Sequence, residues 1–221
     1  MKTSRARSGP FRNRLHYTQE EIDRLAEDEL RSVGLLPSSP AAINIDRYVE
    51  KRFFTPTYSE ELPPTLLGFT EFGPSGPIDI VLNAHLASDP SPVAKRRVRT
   101  TIAHEAGHAL LHAVLYLPTG QATLLPEPDE QPRILCKEQD FTRTSYDGKW
   151  WEYQANLAMS SLLLPRSLTT AALRDYVMTT SLGATTLPVQ HRQMAIRHLS
   201  ATFDVNPVVA KIRIEHLFPA V

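Results

Sequence analysis

A single cysteine in 221 residues excludes an internal disulfide and fits a reducing compartment, so the expected location is the cytoplasm. Glycine is sparse at nine residues while proline reaches 18, a balance that marks connections rather than a low-complexity chain. No apolar run approaches the roughly 18 residues needed to cross a bilayer, and the N-terminal stretch lacks the apolar core of a signal peptide. No membrane partner is expected. An excess of one charge sign is missing too. Basic and acidic residues each number 24, so no global field marks a nucleic-acid or membrane binder. What remains is a chain with 42% hydrophobic residues. That supplies a core for one large domain, with or without a small appendage. No internal repeat is visible.

The most informative segment is His104-Glu105-Ala106-Gly107-His108, an H-E-x-x-H pattern inside an apolar run from Thr101 to Leu117. The chain's own composition predicts roughly 0.02 such matches by chance. On a helix, residues four apart share one face. His104 and His108 can therefore grip one Zn²⁺ from one side, and Glu105 projects near enough to act on a water as general base.

A catalytic zinc site needs a third protein ligand and an open position. His112 lies two turns from His104, about 12 Å along the axis, so an unbroken helix cannot bring all three histidines to one ion. Cys136 is isolated in sequence, and a thiol with two imidazoles is the less common set. Glu152 opens a further helical run, and a carboxylate on a second, crossing helix is how the His₂Glu class completes its site. Gly107 inside the first helix costs about 1 kcal/mol relative to alanine. A close crossing by the Glu152 helix would explain it. Asn156, one turn beyond Glu152, is placed to steady a ligand by a hydrogen bond. Tyr153 and His112 are the candidate donors to a substrate oxyanion.

These residues carry a family resemblance. Thr101-Ile102-Ala103-His104-Glu105-Ala106-Gly107-His108-Ala109-Leu110-Leu111-His112 resembles the T-x-A-H-E-x-G-H-x-x-x-H segment of the ImmA/IrrE metallopeptidases. Glu152-Tyr153-Gln154-Ala155-Asn156, followed by Leu162-Leu163-Leu164-Pro165, resembles the family's E-x-x-A-N … L-L-x-P segment, in the family's order. The resemblance implies zinc ligands at His104, His108 and Glu152, with Glu105 catalytic. It implies an α+β, zincin-like fold: a small β-sheet, an H-E-x-x-H helix crossed by a second ligand helix, and C-terminal helices. It further implies site-specific cleavage of a regulatory protein such as a helix-turn-helix repressor. The alternative is a non-proteolytic zinc-binding regulator, or an interaction protein of a phage or toxin–antitoxin pair. The chain departs from the family in carrying Leu157-Ala158 where Phe-Ala is frequent, and in the length between the two motifs.

Three regions are expected. Residues 1–16, basic through Lys2, Arg5, Arg7, Arg12 and Arg14, read as a disordered tail. Residues 17–180 form the peptidase domain, and 186–221 a helical hairpin packed on it. Thr18-Gln19-Glu20-Glu21 is a capping box opening a helix that stops at Gly34. Ser39-Pro40 reads as the start of a second helix. Strands are expected at 65–70 and 78–83 around a 73–77 turn. The second could accept extended substrate if it were an edge, core strand being the preferred reading. Ser91-Pro92 caps a helix running to Leu115, whose Arg96, Arg97 and Arg99 read as a solvated face. Residues 117–147 read as a long loop forming a cleft wall or lid, with Cys136 a packing residue within it. Helices follow from Ser167 to Tyr176, from Val189 to Phe203 and from Pro207 to Leu217. The last two meet at a helix-turn-helix-like corner. Lys211 and Arg213, balanced by Glu215, make a thin surface for DNA, and a hairpin completing the core is preferred.

Overall fold

The computed structural model describes residues 2–6, 11, 13–117, 133–137, 148–179, 183 and 185–219. It is a mixed α+β structure. The helices among the described residues are α1 (Gln19–Ser32), α2 (Ile45–Arg52), α3 (Pro92–His112), α4 (Trp150–Leu163), α5 (Arg166–Ala172), α6 (Val189–Thr202) and α7 (Pro207–Leu217). No described helix is long and apolar enough to cross a membrane.

The main sheet has the order β3-β5-β4-β6, formed by β3 (Thr57–Ser59), β4 (Leu66–Gly73), β5 (Gly76–Asn83) and β6 (Arg133–Lys137). β4 and β5 form a tight hairpin, β6 runs antiparallel to β4, and β3 runs parallel to β5. β5 is thus an inner strand where Val81–Asn83 pair with β3. The strand-addition option for residues 78–83 is closed there. β6 was not anticipated. Among the described strands it lies at the edge of the sheet, from within the long 117–147 connection, and it buries Cys136. The rest of the expected wall or lid, 118–132 and 138–147, lies outside the described residues.

α3 starts as its sequence dictates. Ser91 Oγ accepts from the Ala94 N–H, Pro92 occupies the first turn, and the helix reaches His112 before tightening into a 3₁₀ turn over Ala113–Leu115. α1 likewise carries the full Thr18/Glu21 capping box. α2 begins five residues later than Ser39-Pro40 implied, because Asn44 Oδ1 accepts from Arg47 N and caps it there. α5 ends at Ala172, and turns carry the chain to Tyr176.

α3 and α4 form the centre. From Thr100 to His112 only Leu110 of α3 is not buried, and α4 is buried from Gln154 to Leu163. Their burial nearly all round explains why neither has an amphipathic pattern. They cross at Gly107, where a Cβ would meet Ala155 O and Ala158 Cβ, each at 3.0 Å. The absent side chain is what permits this approach, as expected.

The C-terminal hairpin joins the same core through Leu199, Phe203, Val205, Val209, Ile212 and Ile214. Its corner is pinned by arginines expected to be solvated. Arg96 Nε and Arg99 Nη1 both donate to the Asp204 carboxylate at 2.7 Å, and Arg99 Nη2 donates to Ile43 O. Arg213 is likewise no DNA-facing residue. It is fully buried, 2.6 Å from the Asp23 carboxylate, and donates to Leu164 O.

Residues 2–6, 11 and 13–16, the described part of the expected disordered tail, depart from that expectation. β1 (Lys2–Arg5) pairs antiparallel with β2 (Asn13–His16). Leu15 is buried and its carbonyl accepts from Gln154 Nε2 at 2.8 Å. Phe11 packs against Tyr116, Trp150 and Trp151, with ring centroids 5.4–5.9 Å apart. The buried Leu15 and the half-buried Phe11 ring offset the entropy that a basic, acid-free segment would otherwise keep.

Candidate metal centre

His104 and His108 project from successive turns of α3, and Glu152 from the first turn of α4. His104 Nε2 lies 3.1 Å from Glu152 Oε2 and 3.1 Å from His108 Nε2, and His108 Nε2 lies 3.5 Å from the same carboxylate oxygen. A triangle of that size leaves a point about 2 Å from all three atoms, the length of a zinc–nitrogen or zinc–oxygen bond. The three residues form a buried group close enough to hold a metal ion.

The outer nitrogens explain why the rings face inward. His104 Nδ1 is 3.1 Å from Asn156 Oδ1, and His108 Nδ1 is 2.9 Å from His112 Nδ1. With His104 Nδ1 donating to Asn156 Oδ1 and His108 in the tautomer protonated at Nδ1, two Nε2 lone pairs and a carboxylate oxygen converge on one buried point. Three acceptors facing one another out of water are stable only around positive charge. Burial works to raise the Glu152 carboxyl, but the facing imidazoles of His108 and His104 outweigh it and hold the group well below the usual carboxylate range. The donor set therefore fits a divalent metal of borderline softness.

Glu105 points from α3 toward the sheet. Thr70 of β4 places its hydroxyl 2.6 Å from Glu105 Oε2. Burial pushes the Glu105 carboxyl up to about 7, opposed by His104, by the Thr70 hydroxyl and by the Cys136 thiol on β6. Glu105 Oε1 is buried with no hydrogen-bond partner among the described residues. A carboxyl balanced near neutrality with one oxygen uncommitted is suited to taking and returning a proton.

Asn156 lies against His104, where its side-chain oxygen can hold that ring by a hydrogen bond. His112 is not a ligand and is not placed to serve an oxyanion. Its Nδ1 faces His108 and its Nε2 lies 3.2 Å from Gln154 Oε1. Burial pulls its imidazole down to about 3. Tyr153 packs against the cluster of Ile22, Leu111, Leu157 and Ala158, and its ring meets His216 edge-on at 6.2 Å.

Three participants escaped sequence reasoning: Thr70, Gln154 and the Leu15 carbonyl. Thr70 sits in an ordinary strand. Gln154 occupies an unspecified position of its motif, and a backbone carbonyl leaves no trace in residue identity. No family model, curated protein or solved structure matches the chain.

Proposed function

We propose that the chain is a zinc-dependent endopeptidase of the ImmA/IrrE type with a zincin-like fold, cutting a regulatory protein such as a helix-turn-helix repressor. The observation that carries this reading is the convergence of His104 Nε2, His108 Nε2 and Glu152 Oε2, with Glu105 on the same helix and balanced near neutrality.

When bound, zinc supplies Lewis acidity, polarising a peptide carbonyl and making a water easier to deprotonate. Glu105 takes the proton from the attacking water and returns it to the leaving amine. Thr70 keeps the Glu105 side chain fixed while the proton moves. Asn156 keeps His104 from rotating out of the donor set.

One observation favours the second reading, a non-proteolytic zinc-binding regulator: His104, Glu105 and His108 are fully buried and Glu152 nearly so. A site that never opens holds zinc as a structural element. Glu105→Gln separates the two. The zinc-loaded protein and this variant are incubated with the repressor encoded beside the gene, and products are read by mass spectrometry. The peptidase reading expects cleavage by the parent, a loss of about 10²–10⁴-fold in the variant, and equal zinc content in both. An intact repressor that co-elutes with the zinc form supports the regulator instead.

A further inference from the structure

A file of hydrogen bonds leads from the metal point to the N-terminal ribbon. It runs from His108 Nδ1 to His112 Nδ1 at 2.9 Å, from His112 Nε2 to Gln154 Oε1 at 3.2 Å, and from Gln154 Nε2 to Leu15 O at 2.8 Å. His108, His112, Gln154 and Leu15 are all buried, so no water substitutes cheaply for a missing partner.

The direction of each proton follows from the two ends. At the outer end, a backbone carbonyl only accepts. The Gln154 amide must donate to Leu15, which turns its own oxygen toward His112. That oxygen accepts only from a protonated His112 Nε2. At the inner end, His108 must keep a bare Nε2 lone pair to bind a cation, so its proton sits on Nδ1. His112 Nδ1 must then accept. Both ends assign His112 to the same form, neutral and protonated at Nε2. If His112 carried its proton on Nδ1 instead, two N–H groups would face each other at 2.9 Å. His108 could avoid that only by moving its proton to Nε2 and giving up the cation.

We propose that Gln154 and the N-terminal strand Asn13–His16 are positioning elements of the metal centre, selecting through His112 the tautomer in which His108 can bind the ion. The proposal rests on the reading that His104, His108 and Glu152 hold zinc. Gln154 sits in the turn of α4 that also carries Glu152, and the Phe11 ring packs on Trp150 and Trp151 of that turn. Docking the ribbon and loading the metal then favour each other. Whatever binding free energy the ribbon adds to the metal, the metal returns to the ribbon.

The test is chelator-competition titration of zinc into the full-length protein and into Gln154→Leu, with melting temperatures of the metal-free forms measured alongside. Loss of hydrogen-bonded partners behind a metal ligand weakens binding about 10–100-fold. That drop is expected in Gln154→Leu, together with faster amide hydrogen exchange over residues 13–16. Gln154→Glu, which still accepts from His112 but no longer donates to Leu15, is expected to retain more zinc affinity than Gln154→Leu while still releasing the ribbon. A purely structural role would lower the melting temperature of the metal-free protein and leave zinc affinity unchanged, and that result overturns the proposal. A variant-free measurement guards against misfolding. Nitrogen-15 histidine spectra of the zinc-loaded parent are expected to show His112 protonated at Nε2 and His108 at Nδ1. Finding His112 protonated at Nδ1 overturns the proposal while leaving the zinc site standing. If the parent takes up no zinc, the metal-centre reading falls first and takes the proposal with it.

Discussion

At Thr70 a single hydroxyl proton serves the Glu105 carboxylate, and its removal has a predictable sign. A hydrogen bond to a charged group contributes about 1.5–3 kcal/mol, and a pKa unit is about 1.36 kcal/mol. Thr70→Val therefore disfavours the ionised form, and the acid limb of the pH–rate profile is expected to move up by about one to two pH units. An unmoved limb means the hydroxyl is not supporting the base. Asn156→Leu acts on the other side of the site. With no acceptor for His104 Nδ1, zinc affinity is expected to fall about 10–100-fold, read by the same chelator competition. His216 gives a separate acid dependence. Burial, with the positive charge of Arg213 beside it, pulls this imidazole down to about 4 from its ordinary 6.5. A depressed histidine adds stability that is whole above 6.5 and is lost as pH falls through 4. His216→Phe is expected to flatten that part of the acid-induced loss of stability, measured by denaturant titration at pH 7 and pH 4.5.

Among the elements, the α3–α4 crossing governs the donor triangle. A side chain at Gly107 would press on Ala155 O and Ala158. Gly107→Leu is expected to lose zinc while circular dichroism shows helix content unchanged. Retained zinc would show that the crossing tolerates separation. α1, α4 and α7 are tied together differently, through Arg213, Asp23 and Ser161 in the interior. Removing one member of a buried ion pair costs about 3–5 kcal/mol when the other is left stranded, but Asp23 also keeps Arg166 Nη1 at 3.3 Å. Arg213→Met is expected to show a loss below that range in urea unfolding. These ties also explain what a reading of residues in order could and could not find. The helical spacing of His104 and His108, the exception at Gly107 and the carboxylate opening α4 are local signals, and the structure joins them as expected. Asp23 and Arg213 carry no sign of each other. Arg213 read as a surface cation because its helix has few polar residues against which its burial would stand out. β6 hid because five residues inside a long proline-bearing segment give too little alternation to be read as a strand. Ser39-Pro40 had the residues of a helix start, but the Asn44 side chain made the cap that was used.

For the molecule as a whole, the site gathers residues from the N-terminal ribbon, the sheet and both central helices, so metal and fold are expected to stabilise each other. An ion that binds only the native state adds about 2.7 kcal/mol at a concentration 100 times its Kd. Chelator stripping is expected to lower the melting temperature and zinc to restore it, with no such response in a His104→Ala, His108→Ala double variant. Zinc-independent melting of the parent would separate the site from global stability.

The last acceptor in the file from His108 is a main-chain oxygen, and this shapes which changes the N-terminal region tolerates. An apolar side chain of leucine's size at position 15 fills the same buried space and leaves that oxygen in place. Deleting one residue between 13 and 16 is another matter. Successive carbonyls in a strand point to opposite sides, so a one-residue frame slip would swing the oxygen away from the Gln154 amide with composition almost untouched. Strand length is thus a constraint there beside the buried side chain.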